Sequence, residues 1–357
     1  MSLGVTSRRL LRASSSYYRI RRRLYHRTAT KVEIAARRTR FYRDVWDEAA
    51  TACGGVVRQI GGPILEITCD GVVLRTRTNL TSLDDPLTVA LTENKPLVYR
   101  LLAERGLPVP RHRVVKADDL AGAWGFVVAS GATCVVKPAD GTSGAIGITT
   151  GVDGKYEMAR ALAYGGAFGR ELLVEEQVEG GVYRLLYFDG ELLDAVLRLP
   201  PTLRADGVKT VEQLIAIENA RRLRLGIEAS QSLIKMDHEL RRTLAAERRS
   251  LKSVPTSGER IQLKNIVNDN ARDENVSAME RLSREVVAAG AEAAEAVGVR
   301  LAGVDIITPD PAVSLVDAGG MVLEINAAPG LYYHYMKRDG RTPVATLVLQ
   351  RLLSSSL

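Results

Sequence analysis

The sequence predicts an α+β protein of two or three lobes, and three observations lead to this fold class. The chain of 357 residues is long enough for more than one hydrophobic core. Between residues 114 and 178, apolar runs with strand-like and helix-like periods alternate. The dipeptides Asp70-Gly71 and Asp189-Gly190 each separate two β-type runs, which is typical of a hairpin turn.

Two helices are predicted in the first third of the chain. Residues 30–50 have an amphipathic pattern. The apolar positions near one face are Ile34, Phe41, Val45 and Trp46. The second helix begins after the N-cap Asn94 and ends at Arg105, with Pro96 tolerated in its first turn and Gly106 stopping it.

Two further helices and an irregular region are predicted beyond them. One helix spans residues 156–164, and another begins at the capping box Ser277-x-x-Glu280. The apolar face of the latter contains Met279, Leu282, Val286, Ala293 and Val297. Residues 205–275 are polar and weakly periodic apart from a helix near residues 211–220, which predicts a partly mobile insertion over the site.

The composition is that of a soluble globular protein, with 46% hydrophobic and 25% charged residues. No window approaches the roughly 18 apolar residues that a membrane-spanning helix needs. The three cysteines, Cys53, Cys69 and Cys134, are odd in number and widely spaced. This spacing favours buried thiols in a reducing compartment, so we expect a cytoplasmic protein.

Positive charge is concentrated at the N-terminus. Residues 1–43 contain 13 Lys and Arg against one acid, Glu33, so they carry +12 and the other 314 residues carry −5 of the net +7. Three interpretations remain open for residues 1–29: a targeting peptide, an arm for anionic partners such as RNA, or a basic helical segment packed on the domain or on a second copy. We favour the last, and expect a homodimer that does not bind nucleic acid.

The segment VLEINAAPG places Glu324 and Asn326 on alternate residues of an apolar strand, so both side chains leave one face. Asp305 lies 19 residues before Glu324 in a second apolar strand, a spacing that suits a hairpin. Carboxylate and amide oxygens are the hard ligands that Mg²⁺ prefers. The alternative is a pair of ordinary polar residues at a strand end.

A glycine-rich loop follows the strand that ends in Lys137-Pro138. Its glycines are Gly141, Gly144, Gly147 and Gly151. The backbone N–H groups of such a loop can surround phosphate oxygens, and a lysine at its mouth adds a positive charge. The sequence contains neither a Walker A motif nor a dinucleotide-binding GxGxxG at the start of a helix.

With these motifs in this order, the sequence resembles the ATP-grasp superfamily, and in particular the ATP-grasp half of cyanophycin synthetases. The resemblance runs from about Thr81 to the C-terminus through TENKPLVYRLLAERGLPVP, VVKPADG, LLVEEQVEGGVYRLLYFDGELLDAVLRLPP, SGERIQLKN, AGVDII and LEINAAPG. It implies two α+β lobes that clamp ATP, preceded by a short N-terminal lobe. The implied boundaries are 1–29 for the basic segment, 30–90 for the N-terminal lobe, 91–172 for the lid lobe and 173–357 for the C-terminal lobe with its insertion.

The resemblance assigns several residues to ATP. Lys95 and Lys137 would reach the phosphates, although Lys95 could also be a solvated first-turn lysine. The loop contacts would come from Asp140, Gly141, Thr142, Ser143 and Gly144. In ELLVEEQVEG, backbone groups of Glu176 and Val178 would pair with the purine edge. Glu175 would face its amino group or the ribose. Relatives place a ribose-binding acid where this chain has Val182, so ribose contact is expected to pass to Glu179.

The remaining assignments concern catalysis. Arg184 and Arg198 interrupt apolar strands, which is costly unless each guanidinium meets an anion. The resemblance implies that Arg184 steadies the phosphoryl group and that Arg198 faces the substrate, with Lys137 completing the catalytic set. A structural Arg–carboxylate pair is the alternative. Asp305, Glu324 and Asn326 would hold two Mg²⁺ ions, or Mn²⁺ in their place.

The implied reaction joins a carboxylate to an amine through an acyl phosphate, with release of ADP and phosphate. The substrates would be amino acids or short peptides, bound by Arg198, Gly330, Tyr332 and Tyr333. The sequence ends 31 residues after Asn326, so we expect a single ligation without the Mur-ligase-like half of cyanophycin synthetases. The alternatives are an ATP-grasp kinase acting on a small hydroxyl compound, and an inactive scaffold with an RNA- or membrane-binding arm.

Overall fold

The structure, a computed structural model, describes residues 11–16, 18, 29–142 and 144–355. Its mixture of helices and sheets confirms the predicted α+β class. The helices are α1 (Ala29–Ala52), α2 (Pro86–Thr92), α3 (Lys95–Glu104), α4 (Leu120–Ser130), α5 (Lys155–Gly165), α6 (Val211–Leu225), α7 (His238–Ala246), α8 (Arg284–Val297), α9 (Leu315–Ala318), α10 (Tyr332–Tyr335) and α11 (Val344–Ser354).

Four antiparallel sheets organise the described residues. The strands are β1 (Val56–Gly61), β2 (Ile64–Cys69), β3 (Val72–Arg77), β4 (Leu80–Thr81), β5 (His112–Lys116), β6 (Cys134–Pro138), β7 (Thr149–Val152), β8 (Glu171–Glu176), β9 (Gly181–Phe188), β10 (Glu191–Arg198), β11 (Thr202–Arg204), β12 (Arg260–Gln262), β13 (Asn275–Ser277), β14 (Leu301–Thr308) and β15 (Met321–Asn326). The sheet orders are β1-β2-β3-β4, β5-β8-β6-β7, β13-β10-β9-β14-β15 and β11-β12.

The local signals in the sequence are confirmed where turn or cap chemistry is strong. Asp70 and Asp189 have positive φ angles of 43° and 47°, and the glycine after each has a φ of 80° or 83°. These angles fit the tight hairpins β2–β3 and β9–β10, since glycine adopts a positive φ without steric cost. Asn94 caps α3 by accepting a hydrogen bond from the Leu97 N–H, as predicted.

The N-terminal helix shares one hydrophobic core with the end of the chain. Phe41 and Trp46 of α1 are buried together with Tyr332 of α10 and Val348 of α11. The same core takes in β2 and β3 of the first sheet. Residues 30–90 therefore pack against the C-terminal lobe and share its hydrophobic core.

The sheet β5-β8-β6-β7, with α4 and α5 packed against it, corresponds to the predicted lid lobe, but its strand β8 runs to Glu176, beyond the predicted boundary at residue 172. A helical turn of the basic segment joins its core through Leu11, which is 6% exposed. Arg12 donates to Asp118 at 2.7 Å, and the Ser15 hydroxyl donates to the Ala163 carbonyl at 2.9 Å. The described part of the basic segment thus packs on the domain, as the favoured interpretation predicts. Residues 1–10, 17 and 19–28 lie outside the described residues.

The insertion at residues 205–275 is more regular than predicted. Helix α6 runs to Leu225, and neither α7 nor the antiparallel pairing of β12 with β11, which lies just before the insertion, was anticipated. The region also has its own core. That core includes Val211, Ile215, Leu240, Leu244, Ile261 and Leu263. The expectation of weak structure was wrong because helices and strands this short show too few apolar positions to reveal a period. Its mobility stays a prediction.

The insertion covers the lid lobe beside the glycine loop. The buried carboxylate of Glu239 accepts from the Thr150 hydroxyl at 2.5 Å. Arg242 donates to the Gly151 carbonyl at 2.8 Å. Asn268 donates to the Gly144 carbonyl at 3.4 Å. These contacts place the insertion beside the glycine loop, and its predicted position over a site stays a prediction.

The helix predicted from Ser277 begins later. Ser277 lies in β13, and its N–H donates to the Asp339 carboxylate at 3.0 Å, so it does not cap a helix. Helix α8 begins after Ser283, whose hydroxyl accepts from the Val286 N–H at 3.1 Å. Of the predicted apolar face, Val286, Ala293 and Val297 are buried, whereas Met279 is 41% exposed. The capping-box prediction was therefore wrong.

Among the described residues, no helix is long and apolar enough to cross a membrane. The cysteines are free: Cys69 and Cys134 are buried, and Cys53 is half-buried.

His238 generates a prediction about acid stability. Its ring stacks on Tyr164 at 4.6 Å, and burial, with Arg160 and Arg242 nearby, lowers its pKa to about 4. Between pH 6.5 and 4 the unfolded chain therefore binds a proton that the folded protein does not, and stability falls as the pH falls. Between pH 6.5 and 4, the free energy of unfolding of His238→Phe should fall by about 2–3 kcal/mol less than that of the wild type. Denaturant unfolding at several pH values measures this, and parallel profiles for the two proteins would contradict it.

Candidate active site

The candidate site lies where the lid lobe faces the C-terminal sheet. Helix α3 lies between them, because its Lys95 N–H donates to the Ala139 carbonyl at 3.0 Å and its Tyr99 hydroxyl lies 3.0 Å from the Leu323 carbonyl of β15. Cross-strand pairing then places Arg184, Asp305 and Glu324 in one row across β9, β14 and β15. The predicted hairpin of Asp305 and Glu324 is confirmed, with the two residues directly opposite each other.

Lys137 is buried in a hydrogen-bonded cluster. Its Nζ is 2.7 Å from Glu175 Oε1 and 3.1 Å from the Tyr99 hydroxyl. The Tyr99 hydroxyl is also 3.0 Å from Glu175 Oε2. Both charged side chains are under 10% exposed, so each satisfies the other inside the protein. The Glu175 carboxylate thus faces Lys137 and Tyr99, and its contact with the purine amino group or the ribose stays a prediction.

Lys95 lies at the start of α3 and is only 7% exposed, so it is not a solvated surface lysine. Its Nζ is 4.0 Å from Glu324 Oε1 and 3.4 Å from the Thr142 carbonyl. Burial lowers the pKa of Lys95, and the nearby Glu324 carboxylate partly opposes that shift. Lys95 therefore bridges the glycine loop and the carboxylate row.

The glycine loop has the open backbone that the sequence predicts. Gly141, Gly144 and Gly147 have positive φ angles of 63°, 66° and 82°. A Cβ at Gly147 would approach the Pro138 side chain to 2.9 Å, so only glycine fits there. Asp140, Gly141 and Gly144 are exposed to solvent at the mouth of the loop. Ser143 lies outside the described residues.

Two backbone groups of the segment predicted to bind the purine are available for hydrogen bonds. The N–H groups of Glu176 and Gln177 donate to the carbonyls of Arg111 at 2.9 Å and Thr133 at 2.8 Å. Within the described part of the chain, the Glu176 carbonyl and the Val178 N–H make no hydrogen bond. These are an acceptor and a donor of the kind that an adenine edge requires. Glu179 is exposed nearby, 3.4 Å from the Gln177 amide.

Arg184 and Asp305 form a buried, two-point ion pair. Arg184 Nε is 2.5 Å from Asp305 Oδ1, and its terminal nitrogen is 2.7 Å from Oδ2. This geometry is that of the structural Arg–carboxylate pair which was the alternative to a catalytic role. It also places both side chains beside Glu324 in the row. Asp305 can reach a cation only while it shares its carboxylate with Arg184.

The donor set fits a hard cation. The Asn326 amide nitrogen donates to the Gly303 carbonyl at 3.2 Å, which leaves the amide oxygen as its remaining ligand atom. The Glu324 side chain is 31% exposed and opens toward the site. No group of three or more His, Cys, Asp or Glu side chains in the described ranges could hold a metal ion. Two carboxylates, one amide and nucleotide phosphates are a set that suits Mg²⁺.

Arg198 and Tyr333 form a second part of the site. The Arg198 guanidinium lies 4.1 Å from the centre of the Tyr333 ring and donates to the Val267 carbonyl at 2.5 Å. Its Nε is buried without a partner among the described residues. The Tyr333 hydroxyl accepts from the Gln231 amide at 3.1 Å, and its ring covers Gly330. The insertion therefore contributes to the walls of this pocket.

The prediction that Tyr332 binds substrate was wrong. Tyr332 is fully buried in the core formed by α1, α10 and α11, and its ring packs edge-on against Phe41 at 5.8 Å. Adjacent residues on the short helix α10 point in different directions. Only Tyr333 of the pair therefore faces the site.

Sequence reasoning missed three residues at this site: Tyr99, Gln231 and Val267. Tyr99 lies four residues after Lys95, on the same face of a capped helix, and that spacing could have revealed it. No comparable signal marks Gln231 or Val267, because the tertiary fold of the insertion brings them to the pocket.

A comparison with protein families finds no family model that matches the chain. Over 286 residues the chain is 30% identical to a cyanophycin synthetase from Geminocystis herdmanii, an alignment that covers 74% of this chain and 30% of that protein. It is 27% identical over 286 residues to the glutathione biosynthesis bifunctional protein GshAB of Mannheimia succiniciproducens, covering 78% of this chain and 37% of that one.

A solved structure supports the fold. The crystal structure of a bifunctional glutathione synthetase from Pasteurella multocida matches with a TM-score of 0.54 and 22% identity, over 87% of this chain and 44% of that one. At this identity the match shows a shared fold. The chain spans only about a third of the length of the curated relatives it matches, since it covers 30% to 37% of each.

Glu324 offers a clean test of the cation site. Glu324→Gln should leave the fold intact and lower activity on the order of 100-fold, because one hard ligand beside the phosphates is lost. The exposed Glu104→Gln on α3 is the matched control. Near-normal turnover of Glu324→Gln at limiting Mg²⁺ would reject the metal assignment.

Asp305→Asn should remove activity as well, but with a cost in stability. The change leaves Arg184 buried without its counter-charge, which typically costs about 3–5 kcal/mol. Turnover and denaturant unfolding, measured on the same sample, separate the two losses. An Asp305→Asn protein as stable and as active as the wild type would contradict both roles.

Lys137→Ala should weaken ATP binding about tenfold and lower the melting temperature, because a phosphate-facing charge is lost and Glu175 is left unpaired. Lys137→Gln can still donate to Glu175, so it isolates the effect on ATP. The exposed Lys155→Ala serves as control for the loss of a lysine. If ATP affinity is unchanged in Lys137→Gln, Lys137 has a structural role only.

Proposed function

We propose that this protein is an ATP-dependent carboxylate–amine ligase that forms an amide or peptide bond through an acyl phosphate and releases ADP and phosphate. The observation that carries the proposal is the convergence of two buried lysines of the lid side, Lys95 and Lys137, with the row of Arg184, Asp305 and Glu324. Positive groups on one side and hard oxygen ligands on the other suit the terminal phosphates of ATP.

The nucleotide would bind between the lobes. The Glu176 carbonyl and the Val178 N–H would pair with the purine, and the exposed Glu179 would contact the ribose. The backbone of residues 140–142 and 144 would cover the phosphates, with Lys95 and Lys137 on either side. Each of these groups would position the ATP, and such positioning supplies most of the catalysis in phosphoryl transfer.

Asp305, Glu324 and Asn326 would hold Mg²⁺, with two ions and alternative Mn²⁺ as the finer proposal. When bound, the metal neutralises the negative charge of the terminal phosphates. The protein's own contribution is to fix the ligand oxygens: Arg184 fixes the Asp305 carboxylate, and the Gly303 carbonyl orients the Asn326 amide.

In the first step, a carboxylate oxygen of the substrate attacks the terminal phosphorus of ATP, and the bond to the ADP oxygen breaks. In the second, an amine attacks the acyl carbon, loses a proton, and expels phosphate. Arg184 lies in one row with Asp305 and Glu324 and would stabilise the transferring group. Arg198, with its free Nε, would face the substrate.

Amino acids or peptides are the proposed substrates. The pocket of Arg198 and Tyr333 combines a cation with an aromatic face, and the Gly330 backbone lies against that ring. An amino acid or peptide supplies both a carboxylate and a nearby polar backbone, which match such a pocket. The relatives named above are synthetases of cyanophycin and glutathione, which supports this class.

The test is trapping with hydroxylamine. Incubation with ATP, Mg²⁺ and a panel of amino acids or dipeptides should give a hydroxamate together with ADP and phosphate, because a small nucleophile intercepts an acyl phosphate. Glu324→Gln should give none above background. Formation of AMP and pyrophosphate would instead indicate an adenylating ligase, and a stable phosphorylated product formed without an amine would indicate a kinase.

A further inference from the structure

The hydroxyl of Tyr99 lies where the lid lobe meets the strand that carries Glu324. Tyr99 is on α3, one turn after Lys95, and is 1% exposed. Its oxygen is 3.0 Å from Glu175 Oε2 on β8, 3.1 Å from Lys137 Nζ on β6 and 3.0 Å from the Leu323 carbonyl on β15. One oxygen atom thus joins three elements of the site, and the steps described above do not use it.

The hydrogen-bond inventory at Tyr99 is tightly constrained. A tyrosine hydroxyl has one proton to donate and lone pairs to accept. The Lys137 ammonium donates to it, so the single hydroxyl proton is divided between the Glu175 carboxylate and the Leu323 carbonyl. Burial, with Glu175 beside the ring, raises the pKa of Tyr99 well above its usual value, so the hydroxyl stays neutral. Tyr99 acts through geometry and not as an acid.

Removing this hydroxyl would change how Lys137 is held. Lys137 has two partners, Glu175 at 2.7 Å and Tyr99 at 3.1 Å. Without Tyr99, one oxygen of the buried Glu175 carboxylate loses its donor, and an unsatisfied buried acceptor is costly. The lysine would then satisfy both carboxylate oxygens and move away from the phosphate side. The Leu323 carbonyl, next to Glu324, would also lose its link to the lid strands.

We propose that Tyr99 is a positioning residue for the nucleotide: its hydroxyl shares Lys137 with Glu175, which keeps the ammonium available to the terminal phosphates, and ties that lysine to β15. The inference rests on the proposed ATP site. It predicts that the contribution of Tyr99 to ATP affinity depends on Lys137.

The experiment compares two tyrosine variants. Tyr99→Phe removes the hydroxyl and keeps the ring, which contacts the His112 ring in a tilted arrangement with the ring centres 5.0 Å apart. Tyr187→Phe is the matched control, because its buried hydroxyl donates to a backbone carbonyl, that of Val287, at 2.8 Å. Calorimetry then measures Mg·ATP affinity for each variant, and the same measurement is repeated with Lys137→Gln in the background.

Tyr99→Phe should weaken Mg·ATP binding about tenfold, whereas Tyr187→Phe should stay within about twofold of the wild type at a similar loss of melting temperature. In the Lys137→Gln background the further effect of Tyr99→Phe should shrink below about twofold, because both changes act on one group. Tyr99→Gln, which can accept from Lys137 and donate to Glu175, should restore part of the affinity. If Tyr99→Phe does not fold, the Mg·ATP affinity of Tyr99→Gln is compared with that of the wild type instead.

Wild-type affinity in Tyr99→Phe would overturn the inference. So would an equal loss in the wild-type and Lys137→Gln backgrounds, because Tyr99 would then act independently of Lys137. The binding measurement needs no carboxylate substrate. A wild-type protein that binds Mg·ATP but forms no amide would therefore reject the proposed ligation and leave the result for Tyr99 readable.

Discussion

The rest of this structure depends on the burial of two lysines and their carboxylate partners between two lobes. Lys95 and Lys137 are each less than 10% exposed, and a buried ammonium is stable only beside an anion. Glu175 meets Lys137 at 2.7 Å, and Glu324 lies 4.0 Å from Lys95. Because the distance from Lys95 to its carboxylate is longer, the positive charge of Lys95 is less fully balanced than that of Lys137. An incoming polyphosphate would supply the negative charge that this side of the site lacks.

The surrounding elements keep those charges in place. The antiparallel row across β9, β14 and β15 fixes Arg184, Asp305 and Glu324 relative to one another through backbone hydrogen bonds. The lid lobe, which carries Lys137, is attached to the insertion through the contact between Thr150 and Glu239. It is also attached to the basic N-terminal segment through Leu11. The insertion and the basic N-terminal segment thus both contact the lobe that carries Lys137.

The sequence predicted the parts of this fold that local chemistry determines. The Asp-Gly turns, the Asn94 cap and the alternation of apolar and polar residues along β15 each have a short-range cause, so they could be recognised without a structure. The start of α8 could not, because Asp339 holds Ser277 in a strand from 62 residues away. Tyr332 was assigned to the pocket because proximity in sequence does not reveal which way a short helix faces. The Arg198 pocket depends on Val267 and Gln231, which only the folded insertion brings close.

Oxygen transfer from the substrate to phosphate tests the proposed acyl phosphate. With a substrate whose carboxylate carries ¹⁸O, the bridging oxygen of the acyl phosphate comes from the substrate and leaves with the phosphate when the amine attacks. Mass spectrometry should then find one ¹⁸O atom in the released inorganic phosphate for each amide bond formed. Unlabelled phosphate, or label found in AMP, would show that no acyl phosphate forms.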